Sequence, residues 1–182
     1  MFINVYSIYD FISFFVVIVY IYIFYSLEPI LILGSGLCLF FHDFLKEVTT
    51  GWYAPIFKRP DGAMNCSLFN TGGLVEHKSG FPSGHVTIIS FFMNILWSRS
   101  KTNLGNKGAN NWMYTILYNL PIVLMGYARI MKGCHNLIQV VAGYLLGYGV
   151  ASIMYIYEHQ INDSFYKLRN SASHYIYKTK GE

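Results

Sequence analysis

Residues 9–25 read YDFISFFVVIVYIYIFY, a run whose only charged member is Asp10 near its start. At 1.5 Å per residue, a helix over this run is long enough to cross the hydrocarbon core of a bilayer. A second apolar helix opens at Pro29 and runs to about Leu45, ending in His42, Asp43 and Lys46. A polar stretch rich in Gly, Pro, Asn and Ser follows from Glu47 to Pro82. Beyond it the pattern predicts a short amphipathic helix from about His85 to Trp97, then a turn-rich loop over Ser98–Asn111 (SRSKTNLGNKGANN). A fourth helix from Trp112 to about Ile130 is interrupted by Pro121, and a fifth runs from about His135 to Tyr157. The expected fold is all-α: an integral membrane bundle of about five transmembrane helices over residues 1–157. Residues 158–182 form a polar, peripheral C-terminal tail.

Composition agrees. Of 182 residues, 54% are hydrophobic, 18% aromatic and 12% charged, about half the usual charged share of a soluble domain. A core of this size cannot bury so much apolar surface. Disorder, a coiled coil and an ordinary soluble enzyme are excluded. The net charge of +4 is small and scattered, which excludes a nucleic-acid footprint. The N-terminal run has no basic region before it and no small-residue cleavage site after it, so it reads as a retained helix. Gly143-x-x-x-Gly147 in the fifth helix reads as a close-packing face.

An odd number of spans puts the long loop and the Arg129–His135 turn on one side, opposite the C-terminal tail. Lys46, Lys58, Arg59, Lys78, Arg129 and Lys132 lie on the loop side, against Arg99, Lys101, Lys107, Lys167, Arg169, Lys178 and Lys180 on the other. With Arg59 and Arg129 set aside for chemistry, the excess faces the tail side, and the positive-inside rule turns the loop side away from the cytoplasm. Cys66 and Cys134 share that loop side. They can pair if it is oxidising, although sequence does not measure the distance between them; Cys38 sits in an apolar run as packing.

Three short segments on the loop side carry chemistry: Lys58-Arg59-Pro60, Gly80-Phe81-Pro82-Ser83-Gly84-His85, and Arg129 with His135 and Gln139. Pro82-Ser83-Gly84 is a turn opening into a helix, whose first N–H groups form a phosphate cradle. Arginines from two segments can fork onto phosphate oxygens. His135 and Gln139 are four residues apart and share a helix face.

In combination these residues resemble the type-2 phosphatidic acid phosphatase superfamily of lipid phosphate phosphatases, whose signature is K-x6-R-P, P-S-G-H and S-R-x5-H-x3-D. Pro82-Ser83-Gly84-His85 matches the second motif in full. The third reads Ala128-Arg129-x5-His135-x3-Gln139, and the first keeps Arg59-Pro60. The resemblance implies His135 as the nucleophile that forms a phosphohistidine and His85 as the general acid. It implies Arg59, Arg129, Ser83 and Gly84 as holders of the phosphoryl oxygens, with no metal and no cofactor. The implied partners are a lipid phosphate or diphosphate substrate and the bilayer, with the active site on the non-cytoplasmic side.

Two positions depart from the signature. Trp52 stands where the family has its lysine, and Lys46, across a six-residue insertion, or Lys58 can supply the cation instead. Gln139 replaces the aspartate that orients the nucleophilic imidazole. H-x3-Q resembles the dolichyl diphosphatase branch, which points to a polyprenyl diphosphate substrate. A phosphotransferase on the same fold, or a catalytically weakened lipid-binding membrane protein, are the alternative readings. Oligomeric state is not legible in the sequence.

Overall fold

The computed structural model describes residues 5–52, 54–67, 71–76, 78–109 and 112–179. It contains α1 (Val5–Ser26), α2 (Pro29–Thr49), α3 (Gly84–Ala109), α4 (Trp112–Met131), α5 (Leu137–Ile156) and α6 (Glu158–Thr179). Pro29 begins α2 where a missing N–H costs nothing. Asn136 caps α5 in a reciprocal box with Gln139. The described residues show only two isolated bridges outside the helices, Lys58 with Ser79 and Met64 with Leu74.

The all-helical membrane fold holds, with differences from the sequence reading. Among the described residues, three helices are long and apolar enough to cross a membrane, Ile8–Ser26, Pro29–Thr49 and Leu137–Ile156, against the about five expected. On α1, Phe11, Ile21 and Phe24 face outward, as a lipid-contacting surface requires. The third helix is neither short nor amphipathic. It is the central element, packed by α1, α2, α4 and α5, and its residues 85–95 are buried on every side. A helix so enclosed has no lipid face to satisfy and can carry polar groups if they are bonded. Thr87 Oγ1 donates to the Ser83 carbonyl at 2.9 Å, Ser90 Oγ to the Tyr144 carbonyl at 2.9 Å, and Asn94 Nδ2 to the Ser90 carbonyl at 2.8 Å.

The expected loop after Trp97 is instead helix as far as Ala109, and Asn110 and Asn111 lie outside the described residues. Side chains from other elements hold this extension. Arg99 pairs with Glu28 at 2.7 Å and Glu158 at 2.6 Å, Ser100 meets the Tyr118 hydroxyl at 2.6 Å, and Thr102 meets the Tyr155 hydroxyl. The polar tail is also helical: α6 packs on α2 and α5.

Small residues on α5 let it lie against α3. A β-carbon on Gly143 would approach the Ser83 carbonyl oxygen to 2.6 Å, and one on Gly147 would strike the Thr87 carbonyl. The start of α5 is thereby fixed beside the start of α3.

Candidate active site

The C-terminal ends of α2 and α4 and the N-terminal ends of α3 and α5 meet at one end of the bundle, under the 51–83 segment. That segment is tied down at several points. Thr49 Oγ1 and Ser79 Oγ lie 2.7 Å apart, Gly80 N donates to Phe57 O at 2.8 Å, and Val75 N to Ala63 O at 2.8 Å. Cys66 and Cys134 form a disulfide with their α-carbons 5.6 Å apart, closing a chain separation of 68 residues. The open question of their pairing is answered by folding.

Between these elements lies a cavity of about 370 Å³. One end is polar, with His42, Lys46, Arg59, Lys78, His85 and His135; the other is apolar, with Val16, Tyr20, Cys38, Leu39 and Ile88. Arg59, Gly84, His85 and His135 thus come together from segments up to 76 positions apart (135 − 59). Lys46 lines the cavity in the last turns of α2. The exposed Lys58 side chain does not line it, and Trp52, half-exposed, stacks edge-on against Phe57. Of the two cations offered by the sequence, Lys46 occupies the cavity.

His135 is buried and its ring is held from one side. Nδ1 lies 2.9 Å from Gly80 O and 3.0 Å from Gln139 Oε1. Both partners are acceptors, so Nδ1 carries the proton and Nε2 keeps its lone pair. Burial first, then the Arg59 and Arg129 charges, push this imidazole well below its ordinary pKa. It is therefore neutral through the physiological range.

Gln139, fully buried, is oriented by its own donors. Nε2 gives hydrogen bonds to Lys58 O at 2.7 Å and Ile56 O at 3.0 Å, which leaves Oε1 for His135. The amide thus joins the imidazole to the strand of chain that carries Arg59. Gln139 O also accepts from Ser83 N at 2.9 Å.

The arginines are anchored on the two disulfide cysteines. Arg59 Nη1 donates to Cys134 O at 3.0 Å and Arg129 Nη2 to Cys66 O at 2.7 Å. Arg129 is wholly buried, with Nη1 3.3 Å from Ser13 Oγ on α1, and stands behind the cavity rather than in its wall. Ser83 is also fully buried, and its Oγ, like His85 Nε2, Arg59 Nε and Arg129 Nε, has no hydrogen-bond partner among the described residues. Unpaired donors concentrated around one cavity are costly unless a ligand satisfies them.

The superfamily model for PAP2 matches residues 29–163. The chain belongs to the PAP2 superfamily. Members of PAP2 are phosphatases acting on phosphate esters, often of lipids. With three apolar helices able to cross a bilayer, this PAP2 chain is an integral membrane protein. No curated protein and no solved structure matches it. The sequence reading missed the cavity residues Tyr20, Lys78 and His42. For His42 a signal existed, since it lies four residues before Lys46 and therefore on the same helix face.

Proposed function

We propose that this PAP2 protein hydrolyses a lipid phosphate or a polyprenyl diphosphate through a phosphohistidine on His135. The reading rests first on one observation: His135 Nδ1 faces two acceptors, which leaves the Nε2 lone pair free, and the residue lines the same cavity as His85. A neutral Nε2 lone pair is what an in-line attack on phosphorus requires.

In the first step Nε2 of His135 bonds to phosphorus, the bond from phosphorus to the lipid oxygen breaks, and His85 gives that oxygen its proton. In the second, water attacks the phosphohistidine, His85 takes a proton back, the N–P bond breaks and inorganic phosphate leaves. Arg59, Lys46 and the N–H groups at the start of α3 stabilise the phosphoryl oxygens. Ser83 and Arg129 close the site from behind, and Gln139 and Gly80 hold the imidazole. No metal or cofactor enters this scheme.

The apolar end of the cavity supports a lipid substrate, since Val16, Tyr20, Leu39 and Ile88 can take the first part of a hydrocarbon chain while the phosphate reaches the cations. The Cys66–Cys134 disulfide supports a site on the non-cytoplasmic side, because such bonds persist in oxidising compartments. A diphosphate is favoured by Gln139, which adds no negative charge to a site receiving a polyanion.

The test is phosphate release by detergent-purified protein from phosphatidate, sphingosine phosphate, prenyl phosphates and polyprenyl diphosphates. Wild type is expected to release free phosphate from at least one, and His135→Ala to release none while remaining folded. Turnover in His135→Ala close to wild type would overturn the nucleophile assignment, and transfer to an acceptor without free phosphate would make the protein a phosphotransferase.

A further inference from the structure

We propose that His42 is a third histidine of the site, contacting the substrate's phosphoryl group through Nε2; the proposal rests on the phosphatase reading above. His42 lies on α2, outside every motif that marks the other site residues. Its ring lines the cavity together with His85, His135, Lys46 and Arg59. The residue is only 9% exposed. Its Nε2 is buried and has no hydrogen-bond partner among the described residues.

The imidazole is oriented as a functional one is. Nδ1 lies 2.9 Å from Asp43 Oδ1, which accepts a hydrogen bond from it and leaves Nε2, against the start of α3, as the ring nitrogen still to be satisfied. The arrangement parallels His135, whose Nδ1 is held by Gln139, but with a carboxylate in place of the amide. The histidine–carboxylate pair of this site is therefore at His42 and not at the nucleophile.

The position of Nε2 identifies its target. A β-carbon on Gly84 would lie 2.6 Å from it, so the imidazole packs directly on the glycine that opens α3. That is where first-turn N–H groups gather phosphate oxygens. Glycine is needed at 84 because any side chain would occupy the space His42 takes. A phosphate seated there meets Nε2 from the α2 side, with Lys46 and Arg59 lining the same cavity. There Nε2 meets a phosphoryl oxygen in a hydrogen bond.

Three variants separate this contact from packing. His42→Asn keeps a partner for Asp43 but ends short of Nε2. His42→Phe fills the ring volume without a donor. His42→Gln reaches the Nε2 position with an N–H. Each is purified in detergent and checked by thermal unfolding. Inorganic phosphate affinity is measured by calorimetry, and KM and kcat are measured on a lipid that wild type hydrolyses. The expected result is a ten- to hundredfold weakening of phosphate binding and a matching rise in KM for Asn and Phe, about the worth of one hydrogen bond to a charged group. His42→Gln recovers most of that loss. Folded Asn and Phe variants with wild-type phosphate affinity would overturn the contact, as would Gln behaving no better than Asn. If wild type binds phosphate but hydrolyses no lipid, the phosphatase reading falls while the His42 contact is still decided by the phosphate affinities. If wild type hydrolyses a lipid but binds no free phosphate, KM on that lipid decides the contact; if it does neither, both fall.

Discussion

Gln139→Asp would write the superfamily's own residue back into the third motif, and the structure predicts that it harms the protein. Gln139 uses both ends of its amide: Nε2 bonds Lys58 O at 2.7 Å and Ile56 O at 3.0 Å, while Oε1 faces His135 Nδ1 at 3.0 Å. An aspartate has no donor and is one methylene shorter. It can still accept from His135, but it sets a carboxylate toward two carbonyl oxygens. Ile56 O retains Asn136 Nδ2 at 3.3 Å, whereas the 2.7 Å bond to Lys58 O is lost. Loss of that hydrogen bond costs about 1 kcal/mol, and the buried negative charge adds to that. Gln139→Leu pays the first part alone. The tautomer of His135 survives in both, because Gly80 O remains at 2.9 Å. The larger kinetic effect therefore falls on placement of the chain that carries Arg59, as a raised KM, and less on kcat. Thermal unfolding in detergent should show both variants less stable, Asp more so than Leu. Steady-state kinetics on a monophosphate and a diphosphate lipid should show no gain for Asp on either. A Gln139→Asp protein as stable as wild type, or with higher kcat/KM on both substrates, would refute the amide-joint account and leave Gln139 as decay of the motif.

Cys66→Ser with Cys134→Ser, or reduction with dithiothreitol, should destabilise the fold by about 4 kcal/mol on the chain-entropy estimate for a separation of 68 residues. It should also lower activity beyond the stability loss, since Arg59 and Arg129 hang on the carbonyls of these two residues; phosphate release with and without reductant measures this. Because His135 is held well below its ordinary pKa, it stays neutral as pH falls through the usual histidine range. The acid limb of the kcat/KM profile assigned to the nucleophile should then lie clearly below pH 6.5, the ordinary imidazole value, and a limb near that value would contradict the burial and arginine charges that hold it down. Activity should survive EDTA, because the described residues hold no cluster of three or more His, Cys, Asp or Glu side chains able to bind a metal. Loss on chelation, restored by Mg²⁺ or Zn²⁺, would show a metal-dependent step.

Apolar runs alone determined the membrane class and located α1, α2, α4 and α5, because burial and helical rise act over contiguous residues. Pro82-Ser83-Gly84-His85 and Arg129-x5-His135 were equally legible, since each is a local spacing at a helix end. What remained hidden depends on partners distant in the chain. Residues 98–109 look like a loop until Arg99 finds Glu28 and Glu158 across the bundle, and those side-chain bonds outweigh weak local propensity. Lys46 and Lys58 were equivalent as sequence, and the path of α2 and the 51–83 segment decided for Lys46. The Cys66–Cys134 bond, the hold of its two carbonyls on the arginines and the packing of His42 on Gly84 each join separate elements. None has a one-dimensional signature, because such contacts are set by how α2, α3, α4 and α5 pack and not by any residue's neighbours in the chain.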